Sequence, residues 1–189
     1  MRMSKAFYLT SIVGAPAAFT AATIFTNVEF FGLDPTPFRN WSMIASLYAF
    51  AIFILFWYRA WSALSDEKLK FNPAWMAIPL LIPIFSLYWL FRAVRGWPKA
   101  YNRYARERRL NVPPLDAAFF TIYCVFTVAM VFVNPGHFWK VDFYGDNLVL
   151  FFVAQAAKSA QLCLDAALIW IVCGAVNRLP AREPESGQT

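Results

Sequence analysis

Histidine, cysteine and charge are all scarce in this sequence of 189 residues. Its one histidine, His137, cannot provide a pair of axial haem ligands or a histidine-rich metal cluster within one chain. Cys124, Cys163 and Cys173 show no C-x-x-C spacing and fall in apolar runs, where cysteine behaves as a small, buried hydrophobic residue. The G-x-S-x-G, Walker-type and H-E-x-x-H motifs are also missing from the sequence. We therefore predict no disulfide, no metal, no cofactor and no enzymatic activity.

The composition is too apolar for a soluble domain. Charged residues make up 15% of the chain and hydrophobic residues 60%, whereas soluble domains carry about 25% and about 45–50%. The surplus is collected into long uncharged runs, for which a soluble core of this size has no room. The formal net charge is +6, but the basic residues flank these runs and match no nucleic-acid-binding fold. We predict an all-α integral membrane protein that binds no nucleic acid.

Five apolar runs are candidates for crossing a bilayer, because a spanning helix needs about 20 mostly apolar residues. The first follows two basic residues, as in a secretory signal peptide, but it is long enough to span and we expect a retained helix. The third contains Pro73, Pro79 and Pro83, which interrupt helical hydrogen bonding. The runs are 7–27, 41–61, 73–91, 115–133 and 148–176.

The distribution of basic residues favours four crossings over five, because cytoplasmic loops carry an excess of lysine and arginine. Five crossings divide the basic residues weakly between the two sides. If 73–91 is a re-entrant hairpin that enters and leaves on one side, fourteen of the 17 basic residues share the side of both termini. The other side keeps Arg39 and Lys140, and Lys158 lies within a span. We predict four transmembrane helices, the hairpin and cytoplasmic termini; the alternative is a fifth, proline-kinked span.

The block from Arg59 to Arg109 is the most distinctive part of the sequence. It reads Ile-Pro-Ile-Phe-Ser-Leu-Tyr-Trp, followed by Gly-Trp and then Tyr-Asn. This block resembles a group of uncharacterised bacterial multi-pass membrane proteins, whose signature is Ile-Pro-Phe-Phe-Asn-x-Tyr-Trp followed by Gly-Trp and Tyr-Asn. The sequence departs from that signature at Ile84 and Ser86. The resemblance implies a bacterial inner-membrane location and a shared architecture, and it implies no activity.

Two elements within the block are predicted to meet the membrane in different ways. Lipid cannot satisfy the backbone groups that the prolines free, so we expect the hairpin to pack inside the bundle, either as a structural wedge or lining a pathway. Residues 97–110 are predicted as a basic amphipathic interfacial helix, which anchors the topology or recognises anionic lipid head groups. The hairpin candidates are Pro79, Pro83, Ser86, Tyr88 and Trp89, and the head-group candidates are Lys99, Arg103, Arg106 and Arg109.

Polar side chains interrupt the last apolar run. At 100° per residue, Lys158 and Asp165 lie within about 20° of one another on a helix. Charged groups inside a membrane normally face the bundle interior, where they pair or meet water. Three interpretations of the stripe remain open. It is a proton or ion site that titrates at Asp165; or Lys158 extends outward to the membrane surface while Asp165 bonds a neighbouring helix; or the stripe docks onto another protein. The candidate residues of this intramembrane polar site are Gln155, Lys158, Gln161 and Asp165.

Three functions remain open from the sequence. The leading hypothesis is a non-enzymatic membrane scaffold or accessory subunit, which contacts other membrane subunits or a second copy of itself. The alternative is a small oligomeric ion or proton channel or transporter that uses the polar stripe. The third is a lipid-binding membrane protein. In each case residues 1–178 form a single membrane domain and 179–189 a disordered polar tail.

Overall fold

The computed structural model of the protein describes residues 2–18, 36–65, 72–133 and 148–180. Every regular element within these ranges is helical, and no strand occurs in them. The all-α prediction is therefore confirmed for this part of the chain. The second half of the predicted 7–27 span, the loop around His137 and the tail beyond 180 lie outside the described residues.

The described chain contains seven α-helical elements, some of which are joined by 3-10 or π-helical turns rather than loops. The elements are α1 (Lys5–Tyr8), α2 (Thr36–Ser62), α3 (Pro73–Ala77), α4 (Pro83–Leu90), α5 (Gly96–Glu107), α6 (Ala117–Val133) and α7 (Leu148–Asn177). Helix α1 continues into a π-helix at Leu9–Gly14 and helical residues 15–18. A 3-10 turn at Ile78–Leu81 follows α3, and a π-helical turn at Phe91–Arg95 joins α4 to α5.

Two of these helices are long and apolar enough to cross a membrane. They are Ile44–Ser62 within α2 and Val153–Asn177 within α7, and only 28% and 33% of their apolar windows are buried inside the protein. Large side chains on them, such as Leu47 and Trp170, are exposed. Helix α6 is apolar but shorter, over Ala117–Met130. By length and composition the described residues thus contain two candidate spans, where the sequence predicted four.

Aromatic side chains fill the core between α2, α5 and α6. Trp57 and Trp97 are fully buried, and their ring centroids lie 6.4 Å apart. Trp97 also stacks on Tyr101, with centroids at 5.5 Å, and lies 6.2 Å from the ring of Phe120. Aromatic pairs contribute about 0.5–1.5 kcal/mol each beyond the area they bury. This cluster therefore holds α5 between the other two helices.

The N-terminal segment packs against the end of α7. The backbone N–H of Met3 donates to Asn177 Oδ1 at 2.8 Å, and Asn177 Nδ2 donates to the Met3 carbonyl at 2.9 Å. The Lys5 ammonium lies 3.8 Å from the centre of the Trp170 ring, which is a cation–π contact. These contacts fix the start of α1 beside the last turns of α7.

The chain turns back on itself within 73–91, where the hairpin was predicted. Pro79 lies in the 3-10 turn, and Ile82 then takes an extended conformation (φ −91°, ψ 113°) before α4 begins. Trp89 Nε1 donates to the Met76 carbonyl at 3.1 Å. A straight helix would separate two positions thirteen residues apart by about 20 Å. This hydrogen bond therefore requires the two arms to lie side by side.

One side of the hairpin packs against the rest of the protein and the other side is exposed. Ala77 and Leu80 are buried. Trp75, Ile78 and Tyr88 are 70%, 56% and 64% exposed. The indole of Trp89, in the second arm, satisfies one main-chain carbonyl of the first arm. That the hairpin packs inside a membrane bundle stays a prediction.

The basic helix predicted at 97–110 corresponds to α5, Gly96–Glu107, and no loop separates it from the second arm of the hairpin. The backbone is helical from Pro83 to Glu107 without interruption: Phe91 (φ −61°, ψ −38°) and Gly96 (φ −69°, ψ −30°) both keep right-handed helical angles. The second arm and the basic helix therefore form one helix that contains a π-helical turn. The apolar face of its basic part is covered by protein in the aromatic core.

Candidate functional site

Helices α6 and α7 bring four polar side chains together. Tyr123 Oη donates to Asp165 Oδ1 at 2.7 Å, and Gln161 Nε2 donates to the same oxygen at 3.2 Å. The Gln161 amide also hydrogen-bonds Thr127 Oγ1, at 3.2 Å from its nitrogen. Residues four apart share a helix face, so 123 and 127 on α6 meet 161 and 165 on α7. We call these four residues the polar joint.

The polar joint is a set of interhelical hydrogen bonds around one carboxylate. Asp165 Oδ1 accepts two hydrogen bonds, one from each helix, and Tyr123 is 2% exposed. Hydrogen bonds of this kind in membrane proteins contribute about 0.6 kcal/mol on average and at most about 1.7. Sequence reasoning found the α7 half of the joint but missed Tyr123 and Thr127. Their hydroxyl groups at a spacing of four in an otherwise apolar run are the signal that would have identified them.

The other half of the predicted stripe does not join this cluster. Lys158 lies two helical turns from Asp165, about 10 Å along the axis, and forms no ion pair among the described residues. Gln155 Oε1 is buried and has no hydrogen-bond partner in the described part of the chain. Ser159, beside them, donates its hydroxyl to the Gln155 carbonyl of its own helix at 2.9 Å. We call Gln155 and Lys158 the unmatched half of the stripe.

The tryptophans of the distinctive block satisfy main-chain carbonyls where helical bonding is interrupted. In a π-helical turn the carbonyl of residue i accepts from the N–H of residue i+5. The Ala93 carbonyl, in the turn Phe91–Arg95, would therefore need an N–H that Pro98 does not have. Trp61 Nε1 donates to the Ala93 carbonyl inside that turn at 3.1 Å. The indole therefore bridges α2 to the irregular part of its neighbour.

A second indole bond runs in the opposite direction. At the end of α2 the Leu64 N–H bonds to the Trp61 carbonyl, in 3-10 fashion, instead of the Ala60 carbonyl. Trp97 Nε1 donates to that Ala60 carbonyl at 3.0 Å. Trp61 and Trp97 thus form a reciprocal pair, each donating to the backbone of the other's helix, and their role is structural.

Asn102 fixes the chain between α5 and α6. Its Nδ2 donates to the Leu115 carbonyl at 2.8 Å, and the Leu115 N–H donates to its Oδ1 at 2.8 Å. Both ends of the amide are used, so the Tyr-Asn pair of the block also has a structural explanation. The interpretation of all three cysteines as buried holds for Cys124 and Cys173 and is wrong for Cys163, which is exposed.

The four head-group candidates are all exposed but have different surroundings. Arg103 Nε lies 3.6 Å from Glu107 Oε1, and Lys99 lies one turn before it. Arg106 and Arg109 instead line a groove at the end of α5. On the opposite, buried face of the helix, burial raises the pKa of Tyr101, and the positive charge of nearby Arg178 works against that rise.

The hairpin candidates are spread over both sides of their segment. Pro79 is buried, Ser86 and Trp89 are half-buried, and Tyr88 is exposed. Pro83 begins α4. Within the described residues, no cluster of three or more His, Cys, Asp or Glu side chains is placed to hold a metal ion.

Comparison with family models, with curated proteins and with solved structures finds no match for this chain. The resemblance of the block to a bacterial membrane-protein group therefore stays a prediction.

Proposed function

We propose that the protein is a multi-pass membrane scaffold or accessory subunit of a bacterial inner-membrane complex, without enzymatic activity. The observation that carries the proposal is the division of the α7 stripe. At one end Asp165 Oδ1 accepts two hydrogen bonds inside the protein, whereas at the other end Lys158 forms no ion pair within the described chain. We propose that another membrane protein covers the unmatched half.

Membrane location is supported by the apolar side chains that are exposed on the two long helices, α2 and α7. Apolar side chains are exposed along α2 and α7, and exposed apolar side chains also occur on α6 and on the hairpin. A soluble monomer rarely exposes apolar patches of more than a few hundred Å². In a bilayer these surfaces face lipid. We propose that α6 and the helix predicted at 7–27 cross as well, with both termini in the cytoplasm.

The geometry of Asp165 favours a scaffold over a transporter. A carboxylate that binds a transported proton or ion must exchange its partners during each cycle. Here Asp165 Oδ1 accepts one hydrogen bond from Tyr123 on α6 and one from Gln161 on α7. The first of these hydrogen bonds joins α6 to α7, and such a fixed contact between helices supports the scaffold role.

The unmatched half has the properties of a contact surface within the membrane. Lys158 lies inside the candidate span, five residues from its start at Val153. A charged side chain within a membrane carries a cost and normally pairs or reaches water. A buried amide oxygen without a donor costs about 1–3 kcal/mol. A partner helix that offers an acidic group to Lys158 and a donor to Gln155 would remove both costs.

The test is to extract the full-length protein from its own membrane with a nanodisc-forming polymer and to measure the mass and composition of the particles. We expect a larger assembly with a companion protein in a fixed ratio. Lys158→Met keeps the length of the side chain and removes its charge, so it should release the companion. Ser159→Ala is the matched control, since Ser159 bonds only to its own helix among the described residues, and it should leave the assembly intact.

Two results would contradict the accessory-subunit role. One is a wild-type protein that is a lone monomer or contains only copies of this chain. The other is a companion that stays bound to the Lys158→Met variant. Either would turn attention to the channel or transporter alternative, for which loss of ion flux in liposomes on Asp165→Asn is the expected result.

A further inference from the structure

A groove of about 540 Å³ lies where α5 ends and the chain turns towards α6. Its polar lining includes the guanidinium-bearing side chains Arg106 and Arg109, together with the amide-bearing Asn111. Its apolar lining includes Val112 and Pro114. No acidic side chain is part of this lining.

Arg109 has an unusual backbone conformation for its residue type. It lies in the left-handed region, with φ 51°. Its N–H donates to the Arg106 carbonyl at 3.1 Å, and the Leu110 N–H donates to the Ala105 carbonyl at 2.9 Å. This is the Schellman pattern that ends many helices, and its left-handed position is normally glycine because a Cβ is unfavourable there. An arginine at this position needs a reason other than the turn itself.

The neighbouring charges are used differently. Glu107 pairs with Arg103 at 3.6 Å, and the Arg108 guanidinium lies 5.8 Å from the centre of the Tyr104 ring. Among the described residues, Arg106 and Arg109 form no ion pair. Arg106 and Arg109 therefore both line this open groove, and its lining contains no acidic residue to pair with them.

We propose that this groove binds a phosphate group, carried either by a membrane lipid or by a soluble molecule. The planar fork of arginine donors matches phosphate oxygens in two-pronged hydrogen bonds. A backbone conformation kept at some cost is typical of sites where it positions a functional side chain. This inference is independent of the scaffold role, because the groove lies on α5 and the loop after it.

The experiment uses the full-length protein, purified in an uncharged detergent, and short-chain phosphatidylglycerol as the probe. Native mass spectrometry counts the bound lipid, and diacylglycerol of the same chain length provides a control that lacks the phosphate. We expect one phosphatidylglycerol per chain and no bound diacylglycerol. Losing one charge-assisted contact corresponds to an affinity decrease of about tenfold, so this is the expected effect of both Arg106→Gln and Arg109→Gly.

Arg109→Gly separates binding from folding, since glycine suits the left-handed position. Its melting temperature should stay the same or rise while its affinity falls. The matched controls are Lys99→Gln and Arg103→Gln, which remove the same charge outside the groove and should weaken binding about twofold or less. Full affinity in Arg109→Gly, an equal loss in the two controls, or no binding of phosphatidylglycerol and inorganic phosphate would each overturn the proposal.

Inorganic phosphate identifies the source of the bound group. If millimolar inorganic phosphate displaces the lipid in the wild-type protein, the groove recognises soluble phosphate. If the lipid stays bound at that concentration, the groove recognises a lipid head group. Both results support the phosphate site, and each assigns one of its two sources.

Discussion

The distinctive block from Arg59 to Arg109 and the polar stripe of α7 both carry residues that are unusual for an apolar chain. In the block, Trp61, Trp89 and Trp97 each donate to a main-chain carbonyl at an irregular point of a helix. In the stripe, Gln161 and Asp165 bond to side chains inside the protein, whereas Lys158 and Gln155 Oε1 have no partner in the described part of the chain. This difference indicates that an unusual residue with a partner inside the protein serves to stabilise the fold. An unusual residue without such a partner points to a contact with another molecule.

The largest expected effect tests the structural side of this comparison. Trp97→Ala removes a fully buried indole together with its stacking on Tyr101 and its bond to Ala60. We expect the free energy of unfolding to fall by about 3–5 kcal/mol, measured by thermal or denaturant unfolding in detergent. Trp75→Ala, in the same block but 70% exposed, is the control and should change stability little. Equal losses of stability in the two variants would contradict the structural role that we assign to Trp97.

A smaller loss is expected when the link between α5 and α6 is cut. Asn102→Ala leaves the N–H and the carbonyl of Leu115 without their partner. Unsatisfied buried groups cost about 1–3 kcal/mol, and the half-buried site places this variant towards the lower end. Asn111→Ala, at an exposed position, provides the reference in the same unfolding assay. A stable Asn102→Ala protein would show that the loop holds without this amide.

A hydrogen bond of the polar joint should contribute less to stability than either the Trp97 or the Asn102 side chain. Tyr123→Phe removes one hydroxyl and its 2.7 Å bond to Asp165 while keeping the ring. We expect a loss of about 0.6 kcal/mol, the average measured for interhelical hydrogen bonds in a membrane protein. Tyr88→Phe, at a side chain that is 64% exposed, should have no measurable effect. If Tyr123→Phe also left the free energy of unfolding unchanged, the hydrogen bond between α6 and Asp165 would contribute nothing measurable to stability.

The sequence predicted the features that follow from local pattern. The helix predicted at 148–176 coincides with α7, and the prolines at 79 and 83 mark the place where the chain turns back. Periodicity also placed Gln161 and Asp165 on one face, because helical geometry alone determines which side chains share a face. These are properties of one segment at a time.

What the sequence could not provide is the identity of the facing residue. Nothing local pairs Asn102 with Leu115 or Asp165 with Tyr123, since each contact joins separate elements. The continuity of the helix through the π-helical turn also escaped prediction. It depends on Trp61, more than thirty positions away, to satisfy the Ala93 carbonyl.

The most direct test of the divided stripe is site-specific photo-crosslinking in intact membranes. A photoreactive amino acid is placed at the position of Lys158 in one protein and at that of Thr127, in the polar joint, in another. We predict a crosslink from position 158 to a different polypeptide, and crosslinks from position 127 only within the chain. Crosslinks from 158 to lipid or to the same chain alone, or crosslinks between polypeptides from 127, would contradict it.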